Sequence, residues 1–317
     1  MNNKISIVMN DKNLIIFTIL LVIIIIYFYN NYLKESFFEW NNCNLLDQKK
    51  LINTYEKNGV IIIPNFFSHD DCNKLLAILE KEGSSNENAT ATLINSPYKR
   101  KNLVIPINDC KEYIMKIYNR LKYFLDVLTP NPILIDCAAF VTSPGCYAQI
   151  WHTDTGLDKI NDNKELKYAN HISIGVALED IDESLGPLEA ILETNTLNDD
   201  KYEMILKQHK KFDDYDSITE CEKTCIYKND SIKRGLCNNS KFEISNLDNR
   251  YKYVKCICKK GSLVLWSSKV YHRGGANYGN KDRSVFYITL MGNDGENPMD
   301  FESTIEDSKK TIYIKDL

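Results

Sequence analysis

The apolar and polar positions of this chain change their pattern twice, from one unbroken apolar segment to helical spacing and then to strand-like runs. Residues 14–29 contain no charge, glycine or proline, and their length is slightly below the ~20 residues that span a bilayer as a helix. No small-residue cleavage site of a signal peptide follows the segment. The pattern predicts one transmembrane helix over residues 13–32, between a short N-terminal tail, residues 1–12, and a connector, residues 33–44.

Helical spacing of apolar residues follows over residues 45–56, 69–81 and 113–128. Gly59 stands just past the first of these segments, where a glycine commonly ends a helix. Ser68 and Asp71 form a variant of the capping box at the start of the second segment. Helices are therefore expected to dominate the chain from the connector to residue 128.

Strand-like runs dominate the later part of the chain. Short runs rich in β-branched and aromatic residues predict buried strands at residues 60–64, 133–141, 146–151, 171–178, 262–266 and 284–290. Helices that precede strands in this way indicate an α+β fold in which the strands close a sandwich or a barrel.

A polar and charged stretch over residues 195–260 interrupts the strands and predicts an insert into the strand-rich domain. The insert holds five of the ten cysteines, namely Cys221, Cys225, Cys237, Cys256 and Cys258. Their spacings fit no common zinc finger, so disulfides are favoured over zinc binding, and the odd number leaves at least one cysteine without a partner inside the insert. Residues 295–317 are predicted to form a C-terminal tail.

Charge excludes one class of partner and suggests an orientation in the membrane. The formal net charge is −4 and the lysines are scattered among acidic residues, which argues against a nucleic-acid partner. Lys4 and Lys12 precede the apolar segment and Lys34 follows it, so positive charge favours a cytoplasmic N-terminus. We therefore expect a single-pass membrane protein whose main domain lies in a lumen or outside the cell. The sequence does not indicate the oligomeric state.

Three residues form a candidate metal site. His152 and Asp154 stand two positions apart at the end of an apolar run, so in an extended chain their side chains would face one point. His272 follows the predicted strand at 262–266 and offers a third ligand from a distant part of the chain. Two histidines and one carboxylate suit Fe(II) and leave coordination positions open, although catalytic zinc accepts the same ligands.

Arg283 indicates what binds beside the metal. It lies eleven residues after His272, at the start of a predicted strand. A guanidinium inside a barrel needs an anion, and a carboxylate that accepts two hydrogen bonds is its natural partner. A chelating oxo acid whose far carboxylate reaches Arg283 would account for both the arginine and the open metal positions, and Ser284 could add a hydroxyl contact. The alternative is a surface arginine in the polar stretch 280–283.

Four stretches together resemble the Fe(II)/2-oxoglutarate-dependent oxygenases, most closely the phytanoyl-CoA dioxygenase family. They are residues 58–75, 151–154, 172–191 and 261–275, the last followed by Arg283. The resemblance implies a double-stranded β-helix, a jelly-roll barrel backed by the N-terminal helices, over residues 45–294. It also implies that Fe(II) is bound by the catalytic residues His152, Asp154 and His272, and that Arg283 and Ser284 bind 2-oxoglutarate.

By the same resemblance, the enzyme would use 2-oxoglutarate and O2, with ascorbate as a candidate reductant, to hydroxylate a C–H bond of a small-molecule or lipid-like substrate. Residues 191–196 (ILETNT) replace a Pro-Gly-Ser-His turn common in the family, so one rim of the active site and the substrate are left open. Asp154 argues against the halogenating branch, in which a halide occupies the position of this carboxylate. Hydroxylation of a lumenal protein side chain and a non-catalytic interaction module are the alternatives.

Overall fold

The computed structural model of the protein describes residues 45–84, 89–90, 99–146, 148–149, 151–154, 171–196, 252–292 and 311–317. All of them belong to one folded unit, Glu39–Leu317. Within this described part of the chain, none of the helices combines the length and the hydropathy that a membrane span requires. The transmembrane helix predicted at residues 13–32 lies outside the described residues.

The helices of the described chain occur where the sequence predicts them, and they are α1 (Leu45–Asn58), α2 (His69–Ser84) and α3 (Ile107–Leu128). Helix α1 ends because Gly59 adopts a φ of 75° and donates its N–H to the carbonyl of Tyr55 at 2.7 Å. Ser68 and Asp71 cap α2 as predicted, because each backbone N–H donates to the other side chain, at 3.0 and 3.1 Å. Helix α3 begins six residues before the predicted position, after Pro106.

The strands of the described chain are β1 (Val60–Ile63), β2 (Ala89–Thr90), β3 (Arg100–Val104), β4 (Ile133–Thr142), β5 (His171–Ala177), β6 (Leu188–Ile191), β7 (Tyr253–Lys255), β8 (Leu263–Ser267), β9 (Tyr271–Gly274) and β10 (Arg283–Met291). Seven of them form an antiparallel sheet in the order β1-β8-β5-β10-β4-β3-β2. A second antiparallel sheet has the order β7-β6-β9. Residues of both sheets line one cavity, an arrangement consistent with the predicted α+β fold and its jelly-roll barrel.

The central strands of the larger sheet are covered on both faces. Every residue of β5 is buried, and alternate residues of β10 line the cavity. Strands buried on both faces carry continuous apolar runs, which explains why the sequence predicts β4, β5, β8 and β10 to within one residue at each end.

The structure corrects the predicted limits of the insert and the tail. Strand β7 pairs with β6, so the last residues of the predicted insert 195–260 belong to the barrel. Residues 311–317 are also part of the fold rather than a free tail. The N–H of Leu134 donates to the carbonyl of Ile312 at 2.9 Å, and Ile314 is fully buried.

Two further expectations concern the predicted strand 146–151 and the insert cysteines. Cys146 makes only an isolated bridge to Asn277, so this segment is not a continuous strand. Cys256 and Cys258 are buried thiols that form no disulfide with another described cysteine. The other cysteines of the insert lie outside the described residues.

Candidate active site

His152 and His272 are brought together by backbone pairing between two distant segments. The N–H of His152 donates to the carbonyl of His272 at 3.0 Å, and the N–H of His272 donates to the carbonyl of His152 at 2.9 Å. Residues paired in this way on antiparallel segments point to the same face. The two imidazole centroids therefore lie only 4.6 Å apart, as a shared metal site requires.

Asp154 completes the cluster from the same segment as His152. Its backbone N–H donates to the carbonyl of Ser268 at 2.9 Å, which holds this segment against the turn between β8 and β9. Carboxylate Oδ1 lies 3.7 Å from Nε2 of His152 and 3.4 Å from Nε2 of His272. The three ligand atoms lie within 4.8 Å of one another, so one metal ion can contact all of them.

Neighbouring groups determine which ligand atoms are available. Nδ1 of His272 lies 2.9 Å from the carbonyl of Val270, so Nδ1 carries the proton and Nε2 is left to bind a metal. The indole N–H of Trp266 donates to Oδ2 of Asp154 at 3.0 Å, while Oδ1 faces the histidines. Two of the three ligands are thus oriented by the protein itself, and the donor set fits Fe(II).

The electrostatics of the cluster keep the carboxylate ionised. Burial raises the pKa of Asp154, but the neighbouring His272 and His152 outweigh burial and lower it to about 2. Burial lowers the pKa of His272, and the adjacent Asp154 more than reverses this, so that the pKa is raised overall. At neutral pH the cluster therefore offers an ionised carboxylate beside the two histidine rings.

Arg283 lies in the same cavity at the start of β10, and only 5% of its surface is exposed. One terminal nitrogen donates to Oγ1 of Thr142 at 2.9 Å, whereas Nε has no hydrogen-bond partner among the described residues. Burial, together with the nearby Arg100, lowers the pKa of Arg283 to about 9. A buried guanidinium whose Nε lacks a partner favours binding of an anion. The anion would accept a hydrogen bond from Nε and offset the free-energy cost of burying the charge.

Ser284 is not part of this arrangement. Successive residues of a strand face opposite ways, and the cavity is lined by Arg283, Val285 and Tyr287. The N–H of Ser284 donates instead to Oε1 of Glu179 at 2.7 Å. The geometry does not support the predicted contact with 2-oxoglutarate, and we do not assign Ser284 to the 2-oxoglutarate site.

Arg100 is a cavity residue that the sequence did not identify. It pairs with Thr142 of β4, and Thr142 pairs on its other side with Arg283, so the two arginines flank one threonine. The side chain is 7% exposed, and its terminal nitrogen donates to the carbonyl of Gly275 at 3.3 Å. In the sequence Arg100 stands in a run of polar residues that is typical of a solvated loop, and only the pairing of β3 with β4 reveals its position.

Comparisons with solved structures support the jelly-roll fold described above. SnoK, a non-heme α-ketoglutarate-dependent carbocyclase from nogalamycin biosynthesis, matches with a TM-score of 0.54 at 12% identity, over 82% of this chain and 88% of SnoK. HygX from Streptomyces hygroscopicus, with nickel, 2-oxoglutarate and hygromycin B bound, matches with a TM-score of 0.51 at 10% identity, over 77% of this chain and 86% of HygX.

The epimerase SnoN, in complex with Fe3+, α-ketoglutarate and nogalamycin RO, matches with a TM-score of 0.52 at 11% identity, over 81% of this chain and 94% of SnoN. No curated protein matches the chain in sequence. At these identities the structural likeness establishes the fold alone. The family model of phytanoyl-CoA dioxygenase, however, matches residues 55–285, which is more than half of the chain. The chain therefore belongs to the phytanoyl-CoA dioxygenase family of iron- and 2-oxoglutarate-dependent oxygenases.

Proposed function

We propose that this protein is a membrane-anchored hydroxylase that uses Fe(II), 2-oxoglutarate and O2 to hydroxylate a small-molecule or lipid-like substrate. The observation that carries the proposal is the convergence of His152, Asp154 and His272 on a cavity that also contains the guanidinium of Arg283. Two imidazoles and a carboxylate suit Fe(II) and leave adjacent coordination positions open. When bound, the iron supplies the chemistry that activates dioxygen.

The side chains of the protein bind and orient the reactants in this proposal. The three ligands hold the metal, and Val270 and Trp266 keep Nε2 of His272 and Oδ1 of Asp154 turned towards it. Arg283 binds the far carboxylate of 2-oxoglutarate through parallel hydrogen bonds that include its Nε. Ascorbate is a candidate reductant in this proposal, and it would act from solution rather than from a site on the protein.

The substrate class and the location are argued from separate observations. HygX, which was solved with hygromycin B bound, and SnoN, which was solved with nogalamycin RO bound, support a small-molecule substrate, because both share the fold of this chain. The apolar segment within residues 13–32 supports an anchor that would bring lipid-like compounds close to the active site. A lumenal or extracellular catalytic domain, which the lysines around that segment favour, would also meet lumenal protein side chains.

The test is iron-dependent conversion of 2-oxoglutarate to succinate by the full-length chain, purified without oxygen in detergent. We expect His272→Ala and Asp154→Ala to abolish the conversion. His69→Ala is the matched control, because His69 is an exposed histidine in the first turn of α2 and should have no effect. Full turnover by either triad variant would overturn the proposed metal site.

The mass of the product tests the reaction type separately. Hydroxylation adds one oxygen atom to the substrate, whereas a product that is two hydrogens lighter, as after cyclisation, or of unchanged mass, as after epimerisation, would show that no oxygen is transferred. Absence of 2-oxoglutarate turnover, together with partner binding that survives removal of iron, would favour the non-catalytic interaction module instead.

A further inference from the structure

The segment that replaces the Pro-Gly-Ser-His turn of the family, residues 191–196, connects the end of helix α1 to strand β9. The backbone N–H of Glu193 donates to the carbonyl of Asn58 at 3.2 Å. The side chain of Asn195 donates to the carbonyl of Glu56 at 2.9 Å. Both carbonyls belong to the last turn of α1, where a helix leaves its carbonyls without partners of its own. Helix α1 therefore fixes the position of the 191–196 segment.

Thr194 is the residue of this segment that contacts β9 through its side chain, which is 0% exposed. Its hydroxyl donates to the carbonyl of Ile191 at 2.7 Å. The same hydroxyl accepts the backbone N–H of Tyr271 at 2.9 Å. A hydroxyl has one hydrogen, and the bond to Ile191 uses it, so the lone pairs of Thr194 are directed at the N–H of Tyr271.

The N–H of Tyr271 belongs to the same peptide group as the carbonyl of Val270. That carbonyl lies 2.9 Å from Nδ1 of His272 and orients the imidazole. A peptide group is planar, so a hydrogen bond that fixes the direction of its N–H also fixes the direction of its C=O. The hydroxyl of Thr194 therefore controls the carbonyl that orients a metal-binding histidine.

A second effect passes through the same peptide group. A hydrogen bond that the N–H donates polarises the peptide group and makes its carbonyl a stronger acceptor. A stronger bond from Nδ1 of His272 to that carbonyl makes Nε2 a better electron donor to a metal. Both the orientation and the donor strength of Nε2 thus depend on the hydroxyl of Thr194.

We infer that Thr194 is a positioning residue for the metal site, which acts on His272 through the peptide group between Val270 and Tyr271. Thr194 does not line the cavity, so its effect on the site passes through this peptide group. The inference rests on the proposed function, because it takes His272 as a ligand of Fe(II). It also assigns a role to the segment in which this chain departs from the pattern of its family.

The substitutions Thr194→Val and Thr194→Ser test the inference in the full chain, purified without oxygen in detergent. Valine has the shape of threonine but lacks the hydroxyl. The affinity for Fe(II), measured by anaerobic titration, should therefore fall about tenfold, at the lower end of the range for groups that orient metal ligands. Serine keeps the hydroxyl, so Thr194→Ser should restore most of the affinity.

NMR of the chain with isotopically labelled histidines gives a readout that a loss of stability would not change. The chain would be saturated with Zn(II), which is diamagnetic and, when bound to Nε2 of His272, leaves Nδ1 as the protonated ring nitrogen. The signal of this Nδ1–H is identified by its absence in His272→Gln. Thr194→Val should shift the signal upfield, because its hydrogen bond to the carbonyl of Val270 weakens, and Thr194→Ser should not.

Thr129→Val is the matched control. Thr129 is also 0% exposed, and its hydroxyl donates to the carbonyl of Leu125 at 2.8 Å, at the end of α3. Both valine variants lose a buried hydrogen bond, so both should be less stable in denaturant. Thr129→Val should nevertheless keep the native affinity for Fe(II) and the native imidazole signal.

Three results would overturn the inference while the proposed function stands: Thr194→Val binds Fe(II) like the native chain, Thr129→Val loses as much affinity, or Thr194→Ser does not restore it. A native chain that binds no Fe(II) would instead refute the proposed function, and the inference with it. If Thr194→Val does not fold, Thr194→Cys replaces it with the same loss expected, because a thiol is only a weak acceptor.

Discussion

At the scale of single residues, Trp266 links a metal-binding carboxylate to the larger sheet. Its indole N–H donates to Oδ2 of Asp154 at 3.0 Å, and 8% of its surface is exposed. Trp266→Phe keeps an aromatic ring but removes the donor, so the carboxylate loses its fixed orientation. We expect the affinity for Fe(II) to fall about 10- to 100-fold in an anaerobic titration.

Trp151→Phe is the matched control for this change. The Trp151 ring is 7% exposed and stacks on Tyr271 with 5.6 Å between the ring centroids. The substitution should lower the stability of the fold but keep the affinity for Fe(II). An equal loss of affinity in both variants would mean that packing, and not the hydrogen bond to Asp154, explains the effect of Trp266→Phe.

His171 gives the stability of the protein a specific dependence on pH. Burial at the start of β5 lowers its pKa from 6.5 to about 4. As the pH falls through this window, the unfolded chain takes up a proton that the folded chain does not, so the free energy of unfolding decreases. The shift corresponds to about 3 kcal/mol.

Denaturant unfolding between pH 7 and pH 4 checks this prediction. His171→Gln removes the titrating group, so the variant should lose about 3 kcal/mol less stability across the window than the native protein. His69→Gln, which changes an exposed histidine, should follow the native curve. Parallel curves for the native protein and His171→Gln would contradict the assigned pKa.

The sequence was sufficient to find the metal ligands but not the residues around them. His152 and Asp154 are two positions apart, so a local property, the alternation of an extended chain, predicts that they meet. Arg100 and Trp266 reach the site because their strands pair with strands that are distant in sequence. No local sequence pattern indicates that either residue lies there. Ser284 is adjacent to Arg283 on a strand and therefore faces the opposite way from the cavity-lining Arg283, Val285 and Tyr287, which adjacency in the sequence does not reveal.

At the scale of elements, the end of β9 is shaped to admit Arg100. A Cβ added at Gly274 would overlap the guanidinium of Arg100 and lie 2.7 Å from Oε1 of Gln149. Gly274→Ala should therefore displace Arg100 from its place beside Arg283 and raise the KM for 2-oxoglutarate, whereas the free energy of unfolding should change little, because the atoms in the way are the ends of flexible side chains. Succinate formation and denaturant unfolding measure the two effects.

Gly83→Ala in α2 is the control for the added methyl group. A Cβ at Gly83 would lie 3.4 Å from Cδ1 of Leu103, which is an ordinary contact distance. Alanine is favoured over glycine in a helix by roughly 0.5–1 kcal/mol, so stability should rise slightly and the KM should stay the same. An unchanged KM in Gly274→Ala would contradict the role of this glycine in placing Arg100.

The long elements of the fold follow from the sequence, whereas the smaller sheet does not. Helices and fully buried strands repeat one pattern over many residues, so α1, β5 and β10 are predicted well. Strand β9 is Tyr-His-Arg-Gly, in which polar residues are buried because they form the site and an ion pair of Arg273 with Glu189 at 2.6 Å. Its sequence therefore lacks the apolar alternation that identifies a strand.

At the scale of the whole molecule, the proposed anchor determines which compartment the catalytic domain occupies. An oxidising lumen permits disulfides, whereas the cytosol keeps thiols reduced. Cys110 of α3 and Cys137 of β4 are buried, and their sulfur atoms lie 3.2 Å apart. The redox state of this pair therefore reports on the side of the membrane where the domain folds.

We expect protein taken from its native membrane to contain a disulfide between Cys110 and Cys137, because the proposed lumenal or extracellular domain would fold among thiol oxidants. Two thiols then lose two hydrogens, and the electrons pass to those oxidants. Thiols would be alkylated during denaturation, and mass spectrometry would find the two peptides linked. Cys72, which is equally buried at 0% exposure, is the matched control and should be alkylated. If Cys110 and Cys137 were alkylated as fully as Cys72, the domain would have folded in a reducing compartment, and the cytoplasmic N-terminus inferred from the lysines would be wrong.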